Sequence, residues 1–309
     1  MVFDRQPALY GVILAVCATI CFAVTVILLS IILSAIDAVT TTWYRCFVGA
    51  ILVSIFMSAQ DRKQARHHFF ERQNIGVLLL IGVLFVFYQL IANVALIYIP
   101  PSSVQVMGQL SIFLTVFCGI FLLKEPFSRH QTLGLLILLI GLGFFFHHRW
   151  GTVFSLQGDY YIGIMLMVLS ACAWAASAIV QKKAVRKLPG STIVVSYFWL
   201  SALILLPFSN PFNPAVMTIE IFIPVLLAGA TTVLGASLYT AALKHADASR
   251  VTPIVALTPL LTIAFVHPAL LIWPGTFIPE TVDFLSLFGA LLVVIGSSMA
   301  SLTKGQSDT

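Results

Sequence analysis

Charged residues are scarce in this chain of 309 residues: Asp, Glu, Lys and Arg together make up 9% of it, whereas 60% is hydrophobic. The mean hydropathy of +1.05 excludes an ordinary soluble globular domain. Acidic residues are especially few, at eleven, and all of them lie between the long apolar stretches or at their ends. An enzyme embedded in a membrane would need clustered Asp, His or a nucleophile with its base, and no such cluster is evident in the sequence.

Cysteine is also rare, and its five positions all lie inside apolar stretches without ligand spacing: Cys17, Cys21, Cys46, Cys118 and Cys172. Small packing residues are the simpler interpretation. The paired histidines His67-His68 and His147-His148 have no partners at metal-ligand spacing along the chain. We therefore predict no metal, no cofactor and no catalytic residue.

Long apolar runs, in contrast, fill most of the chain. A helix needs about 20 mostly apolar residues to cross a hydrocarbon core of about 30 Å, because each residue rises about 1.5 Å. Ten stretches meet or approach this length: 9–33, 39–58, 75–98, 102–123, 130–146, 159–181, 191–208, 220–243, 250–273 and 283–302. The first is too long for a signal peptide and lacks a clean cleavage site. We predict an all-α membrane protein with ten transmembrane helices in one integral membrane domain.

The basic residues indicate how these helices are oriented. If the chain starts in the cytoplasm and alternates sides, 14 of the 16 Lys and Arg residues fall inside, Arg149 falls outside and Arg45 lies within a helix. The positive-inside rule therefore predicts that both termini are cytoplasmic. We expect the protein to lie in the inner (cytoplasmic) membrane. The net charge of +5 then needs no nucleic-acid partner, and the lipid bilayer is the expected surrounding.

The second five stretches repeat the first five. Ala95-Leu96 aligns with Ala242-Leu243 at an offset of 147 residues (242 − 95), and other helices align at offsets of 152 and 155. Because five is odd, the second copy enters the membrane from the opposite side. We predict two inverted five-helix repeats, residues 1–150 and 151–309. Inverted repeats are a common way to build the two access states of a transporter.

Local patterns in both halves resemble one known family. Residues 93–98 (Asn-Val-Ala-Leu-Ile-Tyr) and 122–126 (Leu-Leu-Lys-Glu-Pro), followed by Gly134, resemble the EamA repeat of the drug/metabolite transporter superfamily. Residues 239–243 and 258–261 resemble it more closely. The resemblance covers nearly the whole chain. It implies a ten-helix metabolite exporter whose first, third, fourth, sixth, eighth and ninth helices line a central cavity.

Polar residues inside the spans suggest where a substrate binds. Hydrocarbon cannot satisfy them, so they should face protein or a water-filled path, and helical spacing groups them on common faces. The predicted substrate-binding residues are Trp174, Tyr88, Gln89, Asn93, Gln109, Gln105, Ser177, Thr232, Tyr239 and Thr262. The alternative at each position is a packing role, because Gln and Asn join helices and Ser and Thr bond their own backbone.

The distribution of charge limits the substrate. Arg45 is the only ionised group well within a span, and a structural role is predicted for it, snorkelling outward or capping carbonyls. A single cation suits a phosphorylated substrate poorly. An aromatic and neutral polar lining suits a neutral, zwitterionic or cationic small molecule. Since no carboxylate lies at mid-membrane, facilitated efflux or exchange is favoured over proton or sodium coupling.

We therefore predict a secondary transporter that exports an amino acid or drug-like compound by alternating access. The alternatives are an exchanger of phosphorylated metabolites or nucleotide sugars, a non-transporting receptor and a membrane-embedded enzyme. The second half is expected to carry more of the recognition, because Trp174 and Ser177 stand where the first half has Phe22 and Thr25. A monomer is sufficient for this architecture, and the sequence leaves a homo-oligomer open.

Overall fold

The structure, a computed structural model, describes residues 5–123, 128–211, 218–278 and 282–301. Those residues form α-helices and short 3-10 turns, with no β-strand among them, so the predicted all-α class is confirmed. The helices are α1 (Arg5–Leu33), α2 (Ala38–Phe56), α3 (Ala59–Phe70), α4 (Arg72–Ala95), α5 (Pro101–Gly108), α6 (Leu110–Leu123), α7 (Arg129–Phe145), α8 (Trp150–Phe154), α9 (Asp159–Ala184), α10 (Gly190–Leu205), α11 (Ile219–His245), α12 (Ala248–Val255), α13 (Thr258–Ile272) and α14 (Phe284–Ser301).

Within the described residues, nine helical spans are long and apolar enough to cross a membrane. The chain is therefore a multi-pass membrane protein, as predicted. Helix α7 is apolar but has only 17 residues, so the predicted count of ten is reached only if this shorter helix also crosses. Its start is well defined, because Ser128 and Gln131 exchange side chain–backbone hydrogen bonds of 3.0 and 3.2 Å.

Two of the predicted spans each consist of two helices. The stretch 102–123 contains α5 and α6, which meet at Gln109, and the stretch 250–273 contains α12 and α13, which meet at 256–257. The bounds of α5 and α12 differ by 147 residues at both ends (248 − 101 and 255 − 108). This is the offset at which the two halves of the sequence align, so both copies of the repeat interrupt the same helix at the same place.

The connection between α2 and α4 contains a helix that hydropathy did not reveal. The Ser58 hydroxyl accepts a hydrogen bond of 3.1 Å from the Asp61 N–H and caps the start of α3. One face of α3 carries Ala65, which is buried, while Arg66 is exposed. The helix is missed because it is too polar to register as a span.

Helix pairing follows the predicted repeat. Helix α1 packs along α11, and α4 packs along α9. In the repeat, α9 is the counterpart of α1 and α11 is the counterpart of α4, so exchanging the two halves converts one of these pairs into the other. Helix α7 packs along α14 and α2 along α10, and these pairs are converted into themselves. Each pair joins one helix of the first half to one of the second. The helices are therefore arranged around an approximate two-fold relation between the halves, which is the geometry that inverted repeats produce.

Close contacts between helix termini identify one end of the bundle. A Cβ added to Gly11 would lie 2.6 Å from the Cβ of Ala246, and one added to Gly134 would lie 2.5 Å from the Ala300 nitrogen. The starts of α1 and α7 therefore meet the ends of α11 and α14. We call this the basic end, because α3 and residues 182–187 lie there too, and we call the other the opposite end.

Glycine allows α7 and α14 to approach at backbone distance. A Cβ on Gly141 would lie 2.6 Å from the Val293 nitrogen and 2.8 Å from the Gly289 carbonyl oxygen, and one on Gly296 would lie 2.3 Å from the Leu138 nitrogen. Such contacts are typical of membrane helices, in which small residues increase van der Waals packing where no hydrophobic effect operates between helices. This glycine seam joins the two halves.

Replacing Gly141 with Ala should lower the thermal stability of the purified protein in detergent. The new methyl group meets backbone atoms that cannot move without separating α7 from α14, and overpacking of this kind costs about 1–3 kcal/mol. The matched control is Gly76→Ala in α4, where no atom lies within 4 Å of the added Cβ. Equal melting temperatures for the two variants would contradict the close packing of this seam.

Candidate functional site

A cavity of about 460 Å³ lies between the two halves, a volume within the range of about 300–1,000 Å³ typical of small-molecule sites. Its walls come from helices of both halves, among them α1, α4, α9 and α11, together with the two interrupted spans. These include the helices that the family resemblance implies, and α2 and α14 add Arg45 and Ser301 to the wall.

The cavity lies at the interruptions of α5–α6 and α12–α13. The Gln109 N–H bonds the Val106 carbonyl at 3.2 Å, and the Leu257 N–H bonds the Ile254 carbonyl at 3.1 Å, so a three-residue spacing replaces the four-residue spacing of an α-helix. Irregular backbone at membrane depth is tolerated where it lines a cavity. Gln109 and its counterpart Ala256 both line this one.

Arg45 is the one charged residue in the described lining of the cavity. Its Nε donates a hydrogen bond of 3.0 Å to the Thr232 hydroxyl. Among the described residues, no carboxylate lies within 4.0 Å of the guanidinium. The Thr232 hydroxyl on α11 therefore holds the Arg45 side chain at the cavity, where no described carboxylate serves as its counter-ion.

Two aromatic rings form part of the wall. Tyr88 and Trp174 pack with ring centroids 4.8 Å apart and an interplanar angle of 50°. The offsets of 147 and 152 relate these positions to Gly235 and Phe22 in the other halves. There the ring contact is absent, and a Cβ on Gly235 would lie 2.8 Å from the Phe22 ring. The same place in the two halves therefore holds an aromatic pair on one side and a single ring on the other.

Four amide side chains face the cavity and differ in how they are bonded. Asn93 donates to the Thr42 hydroxyl at 2.8 Å, and Gln105 donates to the Phe22 carbonyl at 3.3 Å. In the described part of the chain, the buried Oε1 of Gln109 has no hydrogen-bond partner. Gln89 is 2% exposed. Gln109 thus has unused hydrogen-bonding capacity at the cavity.

Seven of the ten predicted binding residues line the cavity: Trp174, Tyr88, Gln89, Asn93, Gln105, Gln109 and Tyr239. Three do not. Ser177 is fully buried and accepts a hydrogen bond from Gln181 at 2.9 Å, Thr262 donates to its own backbone at the Thr258 carbonyl, and Thr232 bonds Arg45. Helical spacing groups residues on one face, but it cannot distinguish the face toward a cavity from the face toward a neighbouring helix.

The lining also contains polar residues that the prediction omitted, of which Arg45 is the most important. Thr252 and Thr258 lie on either side of the interruption between α12 and α13. The proline that follows Thr258 marks the start of α13 in the sequence, and this signal could have indicated the interruption. Arg45 and the four amide side chains of the lining belong to the first half, whereas Trp174, Tyr239, Thr252 and Thr258 belong to the second.

The cavity is closed toward the opposite end and extends toward the basic end. Leu29, Leu96, Val104 and Met167 belong both to its wall and to the largest apolar cluster of the bundle. That cluster fills the opposite half of the bundle. Toward the basic end the lining continues as far as Ser301.

The sequence matches the model of the EamA-like transporter family twice, over residues 9–146 and 161–302. The chain belongs to this family. An uncharacterised transporter of Haemophilus influenzae is 31% identical to it over 96% of both chains. The family resemblance inferred from the sequence is thus confirmed, and the chain is a member of a transporter family.

Two further relatives have names that specify a cargo. The pseudopaline exporter CntI of Pseudomonas aeruginosa is 25% identical over 98% of this chain and 99% of that protein. A probable amino-acid metabolite efflux pump of Salmonella typhimurium is 25% identical over 64% of this chain and 66% of that protein. Both names describe export, which agrees with an efflux transporter at the general level.

Cysteine labelling should distinguish the cavity wall from the packed helix faces. In a variant without the five native cysteines, Gln109→Cys should react with a membrane-impermeant methanethiosulfonate reagent applied at the basic end, because the cavity extends there. Ser177→Cys is the matched control on α9 and should stay unlabelled, since Ser177 is fully buried. Comparable labelling rates at both positions would rule out this assignment of the wall.

Proposed function

We propose that the protein exports a small zwitterionic metabolite of the amino-acid class across the inner membrane by alternating access of the central cavity. Membership of the EamA-like family and the names of the two exporting relatives support this function. The observation that carries the proposal is the positive charge of Arg45, which faces the cavity without a carboxylate partner among the described residues.

A guanidinium in a site of low dielectric is costly unless an anion compensates it. The Nε of Arg45 is used by Thr232, which leaves the two terminal nitrogens as a planar fork. This geometry matches a carboxylate, which can accept two parallel hydrogen bonds. A substrate carboxylate would therefore complete the environment of Arg45.

The remaining lining suits a substrate ammonium group. The Gln109 Oε1 is a buried acceptor without a donor among the described residues, and an ammonium offers three donors. The faces of Tyr88 and Trp174 attract a cation through their ring quadrupoles. A carboxylate at Arg45 and an ammonium near Gln109 together describe a zwitterion.

A phosphorylated substrate is supported less well. A phosphate monoester carries a charge between about −1.5 and −2 at neutral pH, and Arg45 supplies one positive charge. The described lining contains no other Lys, Arg or His. Binding of a phosphorylated sugar or nucleotide would leave part of the substrate charge uncompensated in a dry environment.

The direction of access follows from the charge distribution. The positive-inside rule makes the basic end cytoplasmic, so the cavity that extends to Ser301 would be open to the cytoplasm. Export then requires the apolar cluster containing Leu29 and Leu96 to separate while the basic end closes. The interrupted spans α5–α6 and α12–α13 are suited to this motion, because each contains a short helix that can move independently of the longer one.

Proteoliposomes loaded with labelled amino acids test the function. The wild-type protein should release at least one zwitterionic amino acid faster than empty liposomes do. Arg45→Gln should reduce this transport about tenfold or more, because a hydrogen bond to a charged group contributes about 1.5–3 kcal/mol. Trp174→Ala and Gln109→Ala should also impair it, chiefly by weakening substrate binding.

The control for Arg45 is Arg66→Gln on the exposed face of α3, which removes the same charge outside the cavity and should transport normally. If Arg45→Gln transports as well as Arg66→Gln does, the carboxylate assignment is wrong. If no amino acid is released but a sugar phosphate is, the exchanger alternative replaces the proposed function.

A further inference from the structure

A second cluster of polar side chains lies at the opposite end of the bundle, away from the cavity. His147 and His148 follow α7, and Asp283 precedes α14. The Nε2 atoms of the two histidines lie 3.2 and 3.0 Å from the same carboxylate oxygen, Oδ2 of Asp283. The three ligand atoms all lie within 4.8 Å of one another. Residues 135 positions apart along the chain thus converge on one point.

The hydrogen bonds around this cluster determine which atoms are free. The Nδ1 of His147 lies 2.8 Å from the Phe144 carbonyl oxygen. A carbonyl only accepts, so Nδ1 carries the proton and the Nε2 of a neutral ring has a lone pair. That lone pair faces an anionic oxygen at 3.2 Å, which is repulsive. A cation between them removes the repulsion.

From this geometry we propose that His147, His148 and Asp283 form a binding site for a divalent transition-metal ion of the zinc class. A donor set of two imidazole nitrogens and one carboxylate oxygen favours such ions over Mg²⁺ or Ca²⁺. Zinc bonds of about 2.0–2.2 Å place neighbouring tetrahedral ligands about 3.3–3.6 Å apart. The separations of 3.0 and 3.2 Å are close to this edge length.

The surroundings hold each ligand in place for that task. The Phe144 carbonyl oxygen accepts a hydrogen bond from the Nδ1 of His147, and a backbone carbonyl is a usual partner for the second nitrogen of a metal-binding imidazole. The other oxygen of Asp283, Oδ1, accepts a bond of 2.8 Å from the Ser286 N–H, so Oδ2 is left for the metal. The His148 and Asp283 side chains are 52% and 42% exposed, which gives an ion direct access. Three protein ligands leave one tetrahedral position to water.

The metal would join the end of α7 to the start of α14. These helices belong to different halves and already meet along the glycine seam. The metal would therefore connect the two halves through coordinate bonds, near this existing contact. Binding to the folded state raises its apparent stability by mass action. This inference does not depend on the transported substrate.

A comparable group at the basic end, His67, His68 and Glu71, serves as an internal comparison. Its histidines face two different oxygens of Glu71, at 2.9 and 3.5 Å, and all three residues are neighbours in sequence. The convergence on a single oxygen that distinguishes the Asp283 site is missing there. We therefore assign the metal to the Asp283 site alone.

The full chain, purified without a polyhistidine tag and stripped with EDTA, is titrated with Zn²⁺ and with Co²⁺ in detergent. We expect one Zn²⁺ per chain by calorimetry and metal analysis, tetrahedral visible absorption with Co²⁺, and a melting temperature about 3 °C or more higher at saturation. His148→Ala and Asp283→Asn should abolish all three signals. Asparagine also caps helices, so Asp283→Asn should fold normally and keep its metal-free melting temperature.

Two controls make the outcome decisive. His130→Ala removes an exposed histidine from the first turn of α7, and the double variant His67→Ala/His68→Ala removes the comparison group. Both should bind Zn²⁺ as the wild type does. Loss of binding in the double variant, retention in His148→Ala, or no binding by the wild type would each overturn the proposal. In the last case, a protonated His147 is the cation that pairs with Asp283.

Discussion

Hydrocarbon offers no hydrogen bonds, and the rest of this structure depends on that constraint. Every polar group within the spans must find a partner in the protein or face the cavity. Thr25 bonds Thr231 on α11 at 2.8 Å, and Ser170 bonds the Tyr88 carbonyl at 2.9 Å. These bonds join helices of different halves. Arg45 and Gln109 keep hydrogen-bonding capacity that no described residue uses, and both line one cavity, which is why that cavity is the candidate binding site.

The glycine seam and the cavity have complementary positions. The seam holds α7 against α14 at backbone distance, a contact that packing alone makes rigid. The interrupted helices lie at the cavity, where backbone bonds already depart from regular α-helical spacing. The proposed alternating access would therefore move the interrupted spans and leave the closely packed seam in place.

Divergence between the halves makes the cavity lining chemically asymmetric within an approximately two-fold framework. Tyr88 packs on Trp174, whereas their counterparts Gly235 and Phe22 leave one ring in place of two. Arg45 is held by Thr232 of the other half, so even the charged group depends on both copies. A zwitterion has two chemically different ends, and a lining with a cation on one part and aromatic rings with amides on another matches that difference.

Much of this architecture could be read from the chain alone. Apolar length and periodicity respond to the bilayer directly, so the all-α membrane class was predictable, as was the offset of 147 residues that also relates α5 to α12. Helix α3 and the interruption at Gln109 were not, because a polar surface helix and a shift in backbone hydrogen bonding leave little trace in hydropathy, whereas the proline after Thr258 could have indicated the interruption at Ala256. Seven of the ten predicted residues reach the cavity wall, whereas Ser177 and Thr262 share their periodicity but face packed helices.

Tertiary packing determines where Arg45 lies and brings His148 next to Asp283. A sequence shows that a cation is in a span, but the cavity it faces exists only after α2, α4 and α11 have packed together. Likewise, paired histidines have no visible partner along the chain, and Asp283 joins them only because the seam brings α14 to the end of α7. Local patterns decide which segments enter the membrane. Contacts between segments far apart in the chain decide which polar groups meet, because packing and not spacing sets those distances.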